Sequence, residues 1–136
     1  HRNGPLWRTF RTTLVSAGST YFYGGPDRVL AVLYMRAPGA PLSVGDFAKA
    51  RTHMDRALAI ESHWIENQLC MAELEYRLGA QDGDAASTAR ARARLQQYFL
   101  DPGVSPAMAM GVAFEFARWQ EEARKLADTY QPPVGE

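Results

Sequence analysis

The feature that most constrains this chain is the spacing of its apolar residues. Near the carboxyl end Val112, Phe116, Trp119, Ala123, Leu126 and Tyr130 follow one another at steps of three and four. That spacing returns a side chain to the same face of an α-helix and to no fixed face of a strand. The same rhythm recurs along the chain, and no stretch alternates apolar with polar residues as a half-buried strand would. The sequence therefore predicts an all-α protein.

Six helices are expected. Leu6, Trp7, Phe10 and Leu14 define the first, from about Pro5 to Ala17, with Pro5 suited to a first turn. Pro26 opens the second, "PDRVLAVLYMRA", where Asp27 lies near the positive end of the helix dipole. "APGAP" ends it, because Ala37 and Ala40 each precede a proline and are pushed towards extended backbone. The third begins near Asp46, a capping residue, and carries Phe47, Ala50, Met54, Ala57 and Leu58 on one stripe. The fourth, from about Trp64 to Leu78, is apolar over a wide arc and is expected to be covered on more than one side. "GAQDGD" reads as a loop. The fifth carries Ala91, Leu95, Tyr98 and Phe99 and stops at "DPGVSP". The sixth runs from about Pro106 to Tyr130, and residues 131–136 read as a flexible tail.

Six helices with short connections suggest stacked antiparallel pairs in one domain spanning 1–136, closed by a C-terminal capping helix. The pairs also repeat. "GDFAKARTHMDRALAIES" resembles the second helix of a tetratricopeptide repeat, with Gly45 and Asp46 at the turn and Ala50 where paired helices touch. "MAELEYRLG" resembles the first helix of the next, with Met71 and Ala72 as a large-small pair and Gly79 at its end. From Gly45 to Gly79 is 34 residues, the period of that repeat. From Ala31 to Ala72 is 41, so about seven extra residues fall in the turn before Gly45. "AQDGDAA" suggests a similar lengthening of the second turn.

Composition excludes some partners. Fifteen basic and 15 acidic residues leave no net charge, so the long-range field that gathers nucleic acid is missing. No run of about 18 apolar residues marks a transmembrane segment. Cys70 is the only cysteine, which removes an intrachain disulfide and a cysteine-cluster metal site. Its place in an apolar part of a helix reads as a small buried hydrophobe.

Catalytic and metal signals are weak. His63 with Glu66, or His53 with Asp55, lacks a third convergent ligand, and isolated histidines are ordinarily surface residues. "SAGS" and "YGGP" have neither the lysine nor the strand of a phosphate loop. Glu66, Glu73 and Glu75 with Asp55 and Glu61 read as a solvated face. Among Arg90, Arg92 and Arg94, steps of two turn each by about 200°, so Arg90 and Arg94 share a side and Arg92 points elsewhere. The expected role of these arginines is to flank an apolar stripe and pair with acids. No cofactor and no reaction is expected.

On the repeat register, first helices line a groove. That places Glu66, Glu73, Tyr76 and Arg77 on it from the fourth helix, and Arg28, Val32 and Arg36 from the second. Mixed charge beside aromatics suits a peptide or protein partner.

"GGPDRVLAVLYMRAPGAPLSVGDFAKA", Gly24 to Ala50, resembles the TatT family, the repeat-containing component associated with some TRAP transporters. Gly24, Gly25, Pro26, Arg28 and Leu30 match its helix start, and Ala37, Pro38, Pro41, Ser43, Gly45 and Asp46 match its turn. Asn67, Leu69, Ala72 and Glu73 resemble its following helix. The likeness runs from about Tyr21 to Gly79. Family members are typically longer at the amino end, so the chain reads as a shortened or fragmentary member.

The resemblance implies a non-enzymatic periplasmic adaptor, lipoprotein-anchored in its full-length form. Such a protein binds the substrate-binding protein of a TRAP system and can contact a hydrophobic ligand. A general tetratricopeptide-like interaction module, cytoplasmic and unrelated to transport, is the alternative, and a homo-oligomer stays open.

Overall fold

A computed structural model describes residues 25–62, 64–101 and 113–130. Every regular element among them is a helix: α1 (Gly25–Arg36), α2 (Phe47–Ile60), α3 (Ile65–Asp82), α4 (Ala85–Leu95), a π-helical turn (Gln96–Leu100) and α5 (Ala113–Thr129). The all-α expectation holds. The expected helix over Pro5–Ala17, the start of the sixth helix before Ala113, the tail 131–136 and His63 lie outside the described residues. Among the described residues no helix is long and apolar enough to cross a membrane.

The chain divides between residues 63 and 64 into two compact units. In the first, α1 and α2 form an antiparallel hairpin. Asp27 at the start of α1 meets His53 and Arg56 late in α2, while Tyr34 at the end of α1 lies beneath Lys49 at the start of α2. Leu30, Ala31, Tyr34 and Met35 from α1, with Ala50, Met54 and Ala57 from α2, are all buried. The three alanines are fully buried, as close helix approach requires.

Asp46 caps α2 as its sequence position predicts, its Oδ1 accepting from the Lys49 N–H at 3.1 Å. The preceding turn is tightly organised. Gly45 N–H donates to Pro38 O at 2.8 Å, Asp46 N–H to Tyr34 O at 2.9 Å, and the Leu42 and Ser43 amides both donate to Gly39 O. Gly45 has a steric reason to be glycine, since a Cβ there would overlap the Ala37 and Pro38 carbonyls.

Among the described residues of the second unit are three α-helices and the π-helical turn. Gln68 and Glu75 on α3 meet Arg94 on α4, and Ser87 early in α4 donates to Glu75 O at 3.0 Å, so α3 and α4 are antiparallel. Trp64 meets Trp119 and Tyr76 meets Tyr130, so α5 runs parallel to α3. Trp64, Ile65, Ala72, Tyr76, Ala91, Leu95, Phe99, Phe116, Trp119 and Ala123 form one core. Each large apolar side chain withdrawn from water there contributes roughly 1.5–3 kcal/mol. Of the expected stripe of the last helix, Phe116, Trp119 and Ala123 belong to this core, Leu126 and Tyr130 pack against it, and Val112 lies outside the described residues.

Two local expectations are corrected. "GAQDGD" is mostly helix: α3 continues to Asp82 and stops at Gly83, whose φ of +67° is the left-handed cap that favours glycine. The turn to α4 is only Gly83 and Asp84, so the extra residues lengthen α3 and not the turn. Gly79 stays helical because α4 crosses it closely, and a Cβ there would overlap Thr88 Oγ1 and lie 3.1 Å from Asp84 O. The fifth helix also changes pitch before it ends. Asp101 N–H donates to Gln96 O, five residues back, at 2.8 Å, which opens the last turn into a π-helix.

Candidate functional site

The expected groove residues divide by burial. Arg28, Val32, Glu66 and Arg77 are partly exposed and Arg36 is exposed. Glu73 is mostly buried and accepts from Arg77 Nε at 2.9 Å. Tyr76 is 1% exposed, inside the core of the second unit. Cys70, expected to be buried, is partly exposed.

Three polar constellations stand out. The first ties α1 to α2: Asp27, 1% exposed, receives His53 Nδ1 at 2.8 Å, and Arg56 Nε lies 3.6 Å from the same oxygen. The His53 ring stacks on Tyr34 at 5.7 Å. With the carboxylate accepting, the Nδ1 position carries the proton. His53 therefore partners Asp27 across the hairpin, while Asp55 pairs with Arg51. Among the described residues no group of three metal-ligating side chains converges.

The second constellation ties α3 to α4. Glu75 is fully buried, contrary to a solvated carboxylate face, and is clamped by arginines. Arg94 Nε and Nη2 reach its two oxygens at 2.7 and 3.2 Å, and Arg90 Nε adds a contact at 3.4 Å. Arg94 Nη1 also donates to Gln68 Oε1 at 2.7 Å. A two-pronged guanidinium-carboxylate contact is the geometry that makes a buried charge tolerable. Arg90 and Arg94 thus share a side and pair with an acid, as their spacing predicts.

Arg92 points elsewhere, also as predicted, and belongs to the third constellation. It lines a cavity of about 220 Å³ with Tyr76, Leu95, Gln96, Leu100 and Ala127. Its Nη2 donates to Tyr130 O at 3.2 Å, at the end of α5. The Tyr76 ring stacks on Tyr130 with centroids 4.8 Å apart and planes 6° from parallel. Burial pushes the Tyr76 phenol above its ordinary value, and the nearby Arg92 charge pulls the other way. The Arg92 guanidinium also approaches the hydroxyl as a hydrogen-bond donor, but too long or too bent to satisfy it fully.

Arg92, Gln96 and Leu100 were absent from the residues expected to bind. The three follow one another at steps of four, which helical spacing already places on one side; what the sequence could not show is that Tyr76 and Ala127 from other helices close against that side. Arg92 could be anticipated only as the odd member of its triplet.

No family model, no curated protein and no solved structure matches this chain.

Proposed function

We propose that the chain is a non-enzymatic helical-repeat adaptor of the TatT kind, and that the turn between α1 and α2 is its working surface. The partner in this reading is a protein, the substrate-binding protein of a TRAP system, met in the periplasm. A single observation carries it. The turn from Ala37 to Asp46 is braced by backbone hydrogen bonds at both its base and its tip, yet holds Leu42 85% exposed at that tip.

One exposed leucine is ordinary on a protein surface. A leucine on a pre-ordered turn is different, because little conformational freedom remains to be lost when a partner covers it. The helix pairs with fully buried alanines at Ala31, Ala50, Ala72 and Ala91 support the repeat assignment. The charged and aromatic residues assigned to the groove would then flank the contact.

The test is affinity capture of the tagged chain from its native cell, with a photo-crosslinker at position 42. A TRAP substrate-binding protein should be recovered, and Leu42→Asp should reduce its recovery about tenfold or more with an unchanged melting temperature, since the side chain touches no core. Recovery of an unrelated protein through position 42 would replace the transport reading by the general interaction module. Recovery indifferent to Leu42→Asp would remove the turn from the function.

A further inference from the structure

We propose that His53 is a phosphoryl-acceptor site, its Nε2 taking a phosphoryl group from a phosphoramidate donor. The site belongs to the α1–α2 hairpin and does not rest on the adaptor reading.

Orientation comes first. Asp27, 1% exposed, accepts from His53 Nδ1 at 2.8 Å, which holds the proton on Nδ1 and leaves the lone pair on Nε2. The ring is held from a second side, where it stacks on Tyr34 with planes 6° from parallel. Among the described residues, Asp27 Oδ2 is enclosed without a partner, and His53 Nε2 is not so enclosed. Nε2 also bonds to no described residue, so it is the edge at which this side chain, 11% exposed, opens to solvent.

Charge selects the reagent. Lys49 and Arg56 stand four residues before and three residues after His53, so all three share one face of α2. Lys49 Nζ lies 5.5 Å from the centre of the Tyr34 ring on which His53 stacks, and Arg56 Nε lies 3.6 Å from Asp27 Oδ1. Both are exposed. Cations flanking a nucleophile repel a metal ion and attract an anionic electrophile. A phosphoryl group fits, and its transfer needs little beyond positioning and charge.

The carboxylate suits the product as well. Nε2 attacks phosphorus with its lone pair, the donor P–N bond breaks, and the electron pair leaves with the donor nitrogen as an amine, or as ammonia from phosphoramidate itself. Nδ1 keeps its proton, so the phosphorylated ring is a cation bonded to a buried carboxylate. That carboxylate otherwise has one oxygen without a partner and the half-exposed Arg56 as its nearest fixed counter-charge. A cationic ring compensates it better than a neutral one. Bonds broken and formed are both P–N, and no further co-reactant is needed.

Incubation with potassium phosphoramidate, followed by intact mass, site assignment by fragmentation and phosphorus NMR, tests the assignment. His1 and His63, the two other histidines, serve as internal references. His53 should be labelled about tenfold faster than either, on Nε2, with the label lost in acid and kept in alkali. Lys49→Gln, an exposed change with little effect on melting temperature, should slow labelling at His53 about threefold. Asp27 is a positioning residue: Asp27→Asn keeps an acceptor for Nδ1 without the charge, and should slow His53 about tenfold while His1 and His63 react as before. The proposal fails if His53 is labelled no faster than the other two histidines, or if the phosphoryl group sits on Nδ1. It fails equally if Lys49→Gln leaves the rate at His53 unchanged, a readout independent of how well the Asp27 variant folds.

Discussion

Glu75 has no exposed surface and no apolar character, so its presence between α3 and α4 needs Arg94. Arg94→Leu should cost about 3 kcal/mol in urea denaturation, because Glu75 is left buried with only the half-exposed Arg90. Adding Glu75→Leu to that variant should recover about 1 kcal/mol or more, and equal stabilities of the single and double variants would refute the clamp. Glycine positions offer a matched pair. Gly45→Ala forces a methyl to within 2.7 Å of Pro38 O and should cost about 2 kcal/mol, whereas at Gly39 the nearest atom is 3.8 Å away and the change should stay within about 0.5 kcal/mol. Tyr76 makes a pH prediction. Its phenol is raised above 10.0, so the folded state holds the proton more tightly than the unfolded chain. That contribution is complete below pH 10 and is lost as pH rises through the folded-state value. Thermal melts should show an alkaline loss of stability that is smaller in Tyr76→Phe. At neutral pH the same variant should be no less stable, since it deletes a buried hydroxyl that is not fully satisfied.

At the level of elements, the two hairpins are closed by different devices. α2 is entered through a long braced turn and Asp46, and α4 through Gly83 and Asp84 alone. Asp84 accepts from both Ala86 and Ser87 amides, at 3.0 and 3.3 Å. Asp84→Ala should therefore destabilise by about 1 kcal/mol, with Asp84→Asn milder, as denaturation midpoints will report. Gly83→Ala should add a comparable loss, because its left-handed backbone disfavours any side chain. The cap at Asp46 was readable from sequence because an acid stands directly before an amphipathic run. The continuation of α3 through Gly79 was not, because glycine is read as a breaker until the neighbouring helix is seen to need the space. The π-helical turn is a similar case: Phe99 is fully buried and its carbonyl accepts from Gln120 on α5 at 2.8 Å, a contact between distant residues that favours the wider turn.

For the molecule as a whole, charge balance and helical spacing act before any packing. Equal numbers of acids and bases predict no retardation of duplex DNA at physiological salt in a gel-shift assay, and retardation there would reveal a local basic surface that the total charge hides. The all-α class, the helix starts at Pro26 and Asp46, the buried stripes and the divergent aim of Arg92 were all determined by sequence alone. They depend on backbone geometry and on residue periods, which are local. Only the tertiary structure decided that Asp27 would meet His53, that Arg90 and Arg94 would share Glu75, and that Tyr76 would be enclosed with an unsatisfied hydroxyl beside Arg92. Those outcomes join residues 15 to 26 positions apart in the chain. A hydrogen bond or ion pair between such residues is set by how helices dock, and no spacing along one helix encodes it.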